Sequence, residues 1–229
     1  MEQLANGFTL DIPADVFPLS TDSILLADFV RLPKNAKVLD LGSGCGTLGL
    51  LLCAKDPSCR VTGIEITDCA HRAAEENISA NNLGPRMASI CGDFRQVTTS
   101  LPAGSFHVCV SNPPYFSGGP ASQNHPTARR NDCCSTQELF VSAARTLRYG
   151  GDFFLVHKPE YLAQLCACGS NAGLEPKVLC LVRHKPESDC NLLLLQCRKG
   201  GKPGLKMQEL TLFRSDGSPT DYYKKLYRL

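Results

Sequence analysis

"KVLDLGSGCGTLG", residues 37–49, decides the fold of this chain. A short β-type run leads without a break into Gly42, Gly44 and Gly46, and then into "TLGLLLCAK" (47–55), whose apolar residues have helical spacing. Glycines placed between a strand and a helix permit a tight turn and close backbone approach, and the helix start beyond them offers free N–H groups and a positive dipole end. The loop is built to receive a polar ligand.

Outward from this stretch, short apolar runs alternate with helical segments. Strands are expected at 59–66 ("CRVTGIEI"), 87–93 ("MASICGD"), 106–112 ("FHVCVSN") and 151–158 ("GDFFLVHK"). Between them lie a helix opened by Thr67 or Asp68 and another, "STQELFVSAARTLRYG", with a capping box from Ser135 to Glu138 and a terminating Gly150. Such alternation implies a parallel sheet. After a further helix in "KPEYLAQLCACGSNAG", "EPKVLCLVRH" and "NLLLLQCRK" read as a hairpin closing the sheet; "LKMQELTLF" offers an optional edge strand and "PTDYYKKLYRL" a short terminal helix. The 229 residues suit one domain: a cap segment over 1–36, with its helix in "STDSILLADFVRL", the α/β body, and a terminal hairpin with a basic extension over 176–229.

Composition narrows the function classes. No uncharged apolar run approaches the roughly 18 residues a membrane span needs, and the acidic, apolar-poor start does not read as a signal peptide, so a cytoplasmic protein is expected. The 13 cysteines are odd in number, scattered, and form no C-x-x-C; they read as reduced, buried small hydrophobes, and no metal is expected. Net charge is +2, yet from Lys177 onward eleven Lys and Arg face five Asp and Glu, a net +6 that leaves −4 for the remainder. That segment suits either a solubilising face or an RNA contact.

Gly44-Cys45-Gly46-Thr47-Leu48-Gly49 is a literal G-x-G-x-x-G, so a dinucleotide is one candidate ligand. Three acids argue otherwise. Asp40 precedes the first glycine, where it would repel a pyrophosphate but welcome an ammonium or sulfonium. Glu65 ends the second strand, within reach of a ribose, and Asp93 ends the third, suited to an adenine amino group. S-adenosylmethionine combines all three features. No Lys follows Gly46, which excludes a P-loop.

With these motifs the chain resembles the class I S-adenosylmethionine-dependent methyltransferases. The resemblance implies a Rossmann-like, seven-stranded, mostly parallel sheet of order 3-2-1-4-5-7-6 with an antiparallel strand seven. It implies cofactor contacts at Asp40, Gly42, Gly44, Gly46, Glu65, Asp93 and Asn112. Asn112-Pro113-Pro114-Tyr115 has the form [D/N/S]-P-P-[Y/F/W] found in methyltransferases of planar nitrogens, and all four residues are expected at the catalytic site. An aromatic amine is a poor nucleophile; two acceptors, the Asn112 side-chain oxygen and the Pro113 carbonyl, can hold its N–H groups so that the lone pair faces the methyl donor. Tyr115 would stack on an extruded base.

Substrates of such enzymes include adenine N6, guanine N2 of ribosomal RNA and a protein glutamine amide. Beyond the motifs, "TDSILLADF", "ARRNDCCSTQELFVSAARTLRYGG" and "LVHKPEYL" resemble the bacterial tRNA adenine-N6 methyltransferases that modify the adenine 3′ of the anticodon in a valine tRNA. That likeness implies tRNA as partner, a monomeric enzyme, and RNA contacts at Tyr115, Phe116, Arg129 and Arg130. An NAD-binding oxidoreductase and a catalytically silent RNA-binding module are the readings from other classes.

Overall fold

The computed structural model describes residues 2–4, 7–14, 16, 18–114 and 136–227. A small antiparallel pair, β1 (Glu2–Gln3) and β2 (Thr9–Leu10), precedes α1 (Thr21–Phe29). Then come β3 (Lys37–Leu41), α2 (Thr47–Lys55), β4 (Arg60–Glu65), α3 (Asp68–Ala80), β5 (Met87–Cys91), α4 (Val97–Ser100), β6 (Phe106–Ser111), α5 (Thr136–Thr146), β7 (Leu147–His157), α6 (Leu162–Asn171), β8 (Leu174–Arg183), β9 (Cys190–Lys199), β10 (Lys206–Thr211) and α7 (Asp221–Tyr227).

The main sheet has the order β10-β8-β9-β7-β6-β3-β4-β5. Read from β5 inward, the first seven strands follow the expected 3-2-1-4-5-7-6 path, and β9 runs antiparallel to both β7 and β8. The sheet has eight strands rather than seven, because β10 pairs parallel to β8 from Lys206↔Val178 to Thr211↔Arg183 and extends the edge.

Both faces of the sheet are covered, which is why its strands read as near-continuous apolar runs. In β7, Phe154 and Val156 join the core under α1 and α2, while Phe153 and Leu155 join the core under α5 and α6. One expected boundary moves: α5 ends at Thr146, and Gly150 lies inside β7, not at a helix end. There the pairing jumps from Phe106↔Leu147 to Val108↔Asp152, and Gly150, at φ 76°, supplies the left-handed residue that the bulge requires.

The cap segment is fastened to α3. Asn81 exchanges hydrogen bonds with the backbone of Thr9, and Asn77 does the same with Asp11 while also donating to the Cys45 carbonyl at 3.0 Å. A single asparagine thus links the N-terminal segment to the glycine loop.

Candidate active site

All the parallel strands of the central sheet end on the same edge, and the glycine loop leaves β3 there. Gly42, Gly44 and Gly46 have φ of 74°, 55° and 85°, which L side chains seldom adopt. At Gly42 and Gly44 an added Cβ would meet nothing within 4 Å, so the loop borders open space. No side chain caps the N-terminus of α2, whose first N–H groups remain available to a ligand.

Glu65 organises this loop. Its two carboxylate oxygens accept from Gly44 N (2.9 Å) and Thr67 N (2.8 Å), tying the loop to the start of α3. Thr67 is the N-cap by position but makes no side-chain capping bond; the Glu65 carboxylate serves its N–H instead. Each oxygen keeps one acceptor site for a ligand hydroxyl. Glu65→Gln would present an amide N–H to one of these donors, leaving it unsatisfied. Calorimetry should find cofactor affinity reduced by about ten-fold or more, the cost of one buried unmet donor.

Asp40 lies beneath the loop, 1% exposed, and neither of its oxygens has a hydrogen-bond partner. Burial first, and the Glu65 charge second, raise its carboxyl from 3.8 to about 8. The aspartate that the sequence offers as a standing negative charge is therefore mostly protonated at neutral pH in the ligand-free protein. Ser43 adds a third buried oxygen without a partner. It packs over Gly63, where a Cβ would stand 2.6 Å from Ser43 Oγ. Open glycines, an uncapped helix start and unpartnered buried oxygens fit a polar, cationic ligand.

Asp93 follows β5 but is already engaged. Its Oδ1 accepts from Arg95 N (2.9 Å) and its Oδ2 from Arg95 Nε (2.7 Å), and the Arg95 side chain holds its carboxyl below the usual range. An adenine would have to share this carboxylate with Arg95. Two apolar neighbours escaped the sequence reading: Ile66, 50% exposed directly after Glu65, and the half-buried Phe94 directly after Asp93. The available signal was one apolar residue following each strand-end acid, where a flat ring needs a surface.

Across the loop, β6 delivers Asn112. Ser111 Oγ donates to the Leu41 carbonyl at 2.7 Å, fixing the end of β6 against the start of the glycine loop. Asn112 Nδ2 donates to Ser23 Oγ on α1 at 3.0 Å, which leaves Oδ1 as the acceptor end of the amide. Pro113 is half-buried and Pro114 exposed. Tyr115, Phe116, Arg129 and Arg130, like Ser135 of the expected capping box, lie outside the described residues. His157, at the end of β7, is buried edge-on against Tyr161 with ring centroids 4.8 Å apart, and desolvation lowers its pKa below the usual histidine value.

The basic C-terminal segment divides between the two edges of the sheet. Lys177, Lys199, Lys202 and Lys206 stand at the edge away from the glycine loop, as the β8 register and the bond from Lys177 Nζ to the Lys202 carbonyl require. On the loop side, Arg183 and Arg214 pair with Glu209 and Asp221. Among the described residues no group of three or more metal-ligating side chains occurs, and no helix is long and apolar enough to cross a membrane.

A strand order of 3-2-1-4-5-7-6, a glycine loop after the first strand and N-P-P at the end of the fourth define a class I methyltransferase. Residues 19–165 match the family described as methyltransferase small domain. A tRNA1(Val) (adenine(37)-N6)-methyltransferase of Bacteroides fragilis is 34% identical over 171 residues, covering 73% of this chain and 71% of that protein. One of the same name from Photobacterium profundum is 28% identical over 241 residues, 97% of this chain and 100% of its own length. Among solved structures, a protein of Agrobacterium tumefaciens described as a predicted O-methyltransferase superposes with a TM-score of 0.75 at 21% identity, covering 91% of this chain and 96% of that one. A geranyl diphosphate methyltransferase in complex with SAM superposes at 0.57 with 13% identity, covering 77% and 84%. These two likenesses concern the fold. The chain belongs to the methyltransferase small domain family and, within it, groups with the tRNA1(Val) (adenine(37)-N6)-methyltransferases. The dinucleotide alternative for the glycine loop falls with that membership.

Proposed function

We propose that this enzyme transfers a methyl group from S-adenosylmethionine to N6 of an adenine in tRNA, at position 37 beside the anticodon of a valine tRNA, the site printed in its relatives' names. The observation that carries this proposal is the Asn112 amide: its Nδ2 donates to Ser23 Oγ, which leaves Oδ1 as its acceptor end, at the close of β6 beside the glycine-loop strand β3.

The cofactor supplies an activated methyl group. The chain supplies the rest. Glycine-loop amides, the α2 start, Asp40 and the spare acceptor sites of Glu65 bind and orient the donor, with Asp93 and the apolar pair Ile66 and Phe94 toward the adenine. Asn112 Oδ1 and the Pro113 carbonyl each accept one N–H of the substrate amine and turn its lone pair toward the methyl group. Tyr115 gives the flipped base a stacking surface, and Phe116, Arg129 and Arg130 hold its flanks. No strong base is required, because the nitrogen becomes acidic as it is alkylated; the work is alignment and charge placement. We take the active unit to be a monomer that acts on tRNA in the cytoplasm.

Incubation with tritiated S-adenosylmethionine and a valine tRNA transcript, followed by nucleoside analysis, should give labelled N6-methyladenosine. Label in guanosine, in protein, or nowhere would overturn the assignment.

A further inference from the structure

We propose that Ser23 is a positioning residue that anchors the Asn112 side chain, and that α7 acts on catalysis by clamping the helix that carries Ser23. The inference rests on Asn112 being the acceptor for the substrate amine.

An asparagine amide has two faces of similar shape and opposite hydrogen-bonding character. The substrate N–H needs the amide oxygen at a fixed place, so a side chain free to swing between rotamers loses alignment with the methyl donor. Asn112 directly follows β6, 89 residues from its partner, and Ser23 Oγ at 3.0 Å is the anchor that α1 offers its side chain. Ser23 is itself buried, so water does not substitute for its oxygen.

The position of Ser23 then depends on α1, nine residues long, and α1 is held at both ends. At its start, Ser20 caps the Ser23 N–H and the Tyr227 hydroxyl donates to Thr21 Oγ1 at 3.1 Å. Toward its end, the Tyr222 hydroxyl donates to Asp28 Oδ2 at 2.8 Å, and Lys55 Nζ donates to the carbonyls of Ala27, Asp28 and Val30. Two of these anchors come from α7. That helix is in turn fixed by a ladder of rings: Tyr227 on Tyr223 (4.4 Å), Tyr223 on Phe213 (4.6 Å) and Phe213 on His184 (4.6 Å). A continuous set of contacts thus runs from the β8–β9 turn to the catalytic amide, and it gives the C-terminal segment a part in catalysis that its charge does not supply.

Ser23→Ala tests this directly, and alanine, the best helix former, preserves α1. In steady-state tRNA methylation kcat should fall roughly ten-fold, the worth of one such hydrogen bond. KM for both substrates and the thermal midpoint should stay near wild type, and Ser23→Thr, which keeps the hydroxyl, should recover most of the rate. Tyr227→Phe should lower kcat by a smaller factor in the same pattern. Wild-type kcat in Ser23→Ala would overturn the inference, as would a loss that Ser23→Thr does not recover or that appears equally in KM. Asn112→Ala run in parallel separates the two levels: an active Asn112→Ala removes the acceptor assignment itself, whereas an inactive Asn112→Ala beside a fully active Ser23→Ala removes only the positioning role.

Discussion

Asn112→Ala is expected to lower the rate of methyl transfer by about 10²–10³-fold, the cost of deleting one acceptor aimed at charge that develops in the transition state. S-adenosylmethionine affinity should change little, because the donor site proposed above is built from the loop amides, Asp40 and Glu65 on β3 and β4, whereas Asn112 follows β6. A transferring amine becomes more positive as its bond to carbon forms, and its N–H groups become stronger donors. The interactions with Asn112 Oδ1 and the Pro113 carbonyl therefore strengthen along the reaction, which is how a hydrogen bond accelerates a step and does not merely bind the substrate. Asn112→Asp keeps an acceptor, and the Ser23 hydroxyl can switch from accepting to donating, so this variant should retain far more activity. Single-turnover transfer of tritium to tRNA, beside equilibrium binding of the cofactor, separates the two effects. An Asn112→Ala enzyme with an unchanged single-turnover rate would remove the mechanism.

The parts of this design that were legible in the sequence are local. β3, its glycine loop and α2 follow one another within 19 residues, each with its own signal: an apolar run, three glycines needing positive φ, and a helical spacing. The hairpin of β8 and β9 was equally plain from two apolar runs about a polar turn. Gly150 misled because a glycine after a helical pattern ordinarily marks a C-cap, while here the chain entered β7 three residues earlier and the glycine serves a bulge. The pairing of Asp93 with Arg95 was not foreseen: a strand-end acid followed two residues later by an arginine can close a local turn upon itself, and it does. The contact between Ser23 and Asn112 had no sequence signal, since a serine in "TDSILLADF" reads as one more helix-start polar residue. Nor does any pattern reveal that Asp40 is buried without partners; its neighbours become visible only when β4 and the loop close over it.

That burial makes Asp40→Asn a variant that should stabilise the ligand-free protein and cripple it as an enzyme. The carboxyl titrates at 3.8 when unfolded and at about 8 when folded, so between those values the folded state holds the extra proton. Stability then falls as pH rises through the window from about 4 to about 8, by roughly 6 kcal/mol at 1.36 kcal/mol for each unit of the difference. Asparagine carries no proton to lose, so urea denaturation of Asp40→Asn should lack this decline, and above pH 8 the variant should be the more stable of the two. Below pH 4 the advantage disappears, because the wild-type carboxyl is protonated in both states. Cofactor binding should reverse the ranking. A cationic group brought against Asp40 favours the anion, so wild-type protein at pH 7 should release close to one proton for each S-adenosylmethionine bound. This release is measurable as a dependence of the calorimetric enthalpy on the buffer's heat of ionisation. Asp40→Asn should release none at this site and should bind at least about ten-fold more weakly, having lost a charge-assisted contact. Wild-type binding without proton release would mean that Asp40 stays neutral and that the cation is received elsewhere in the loop.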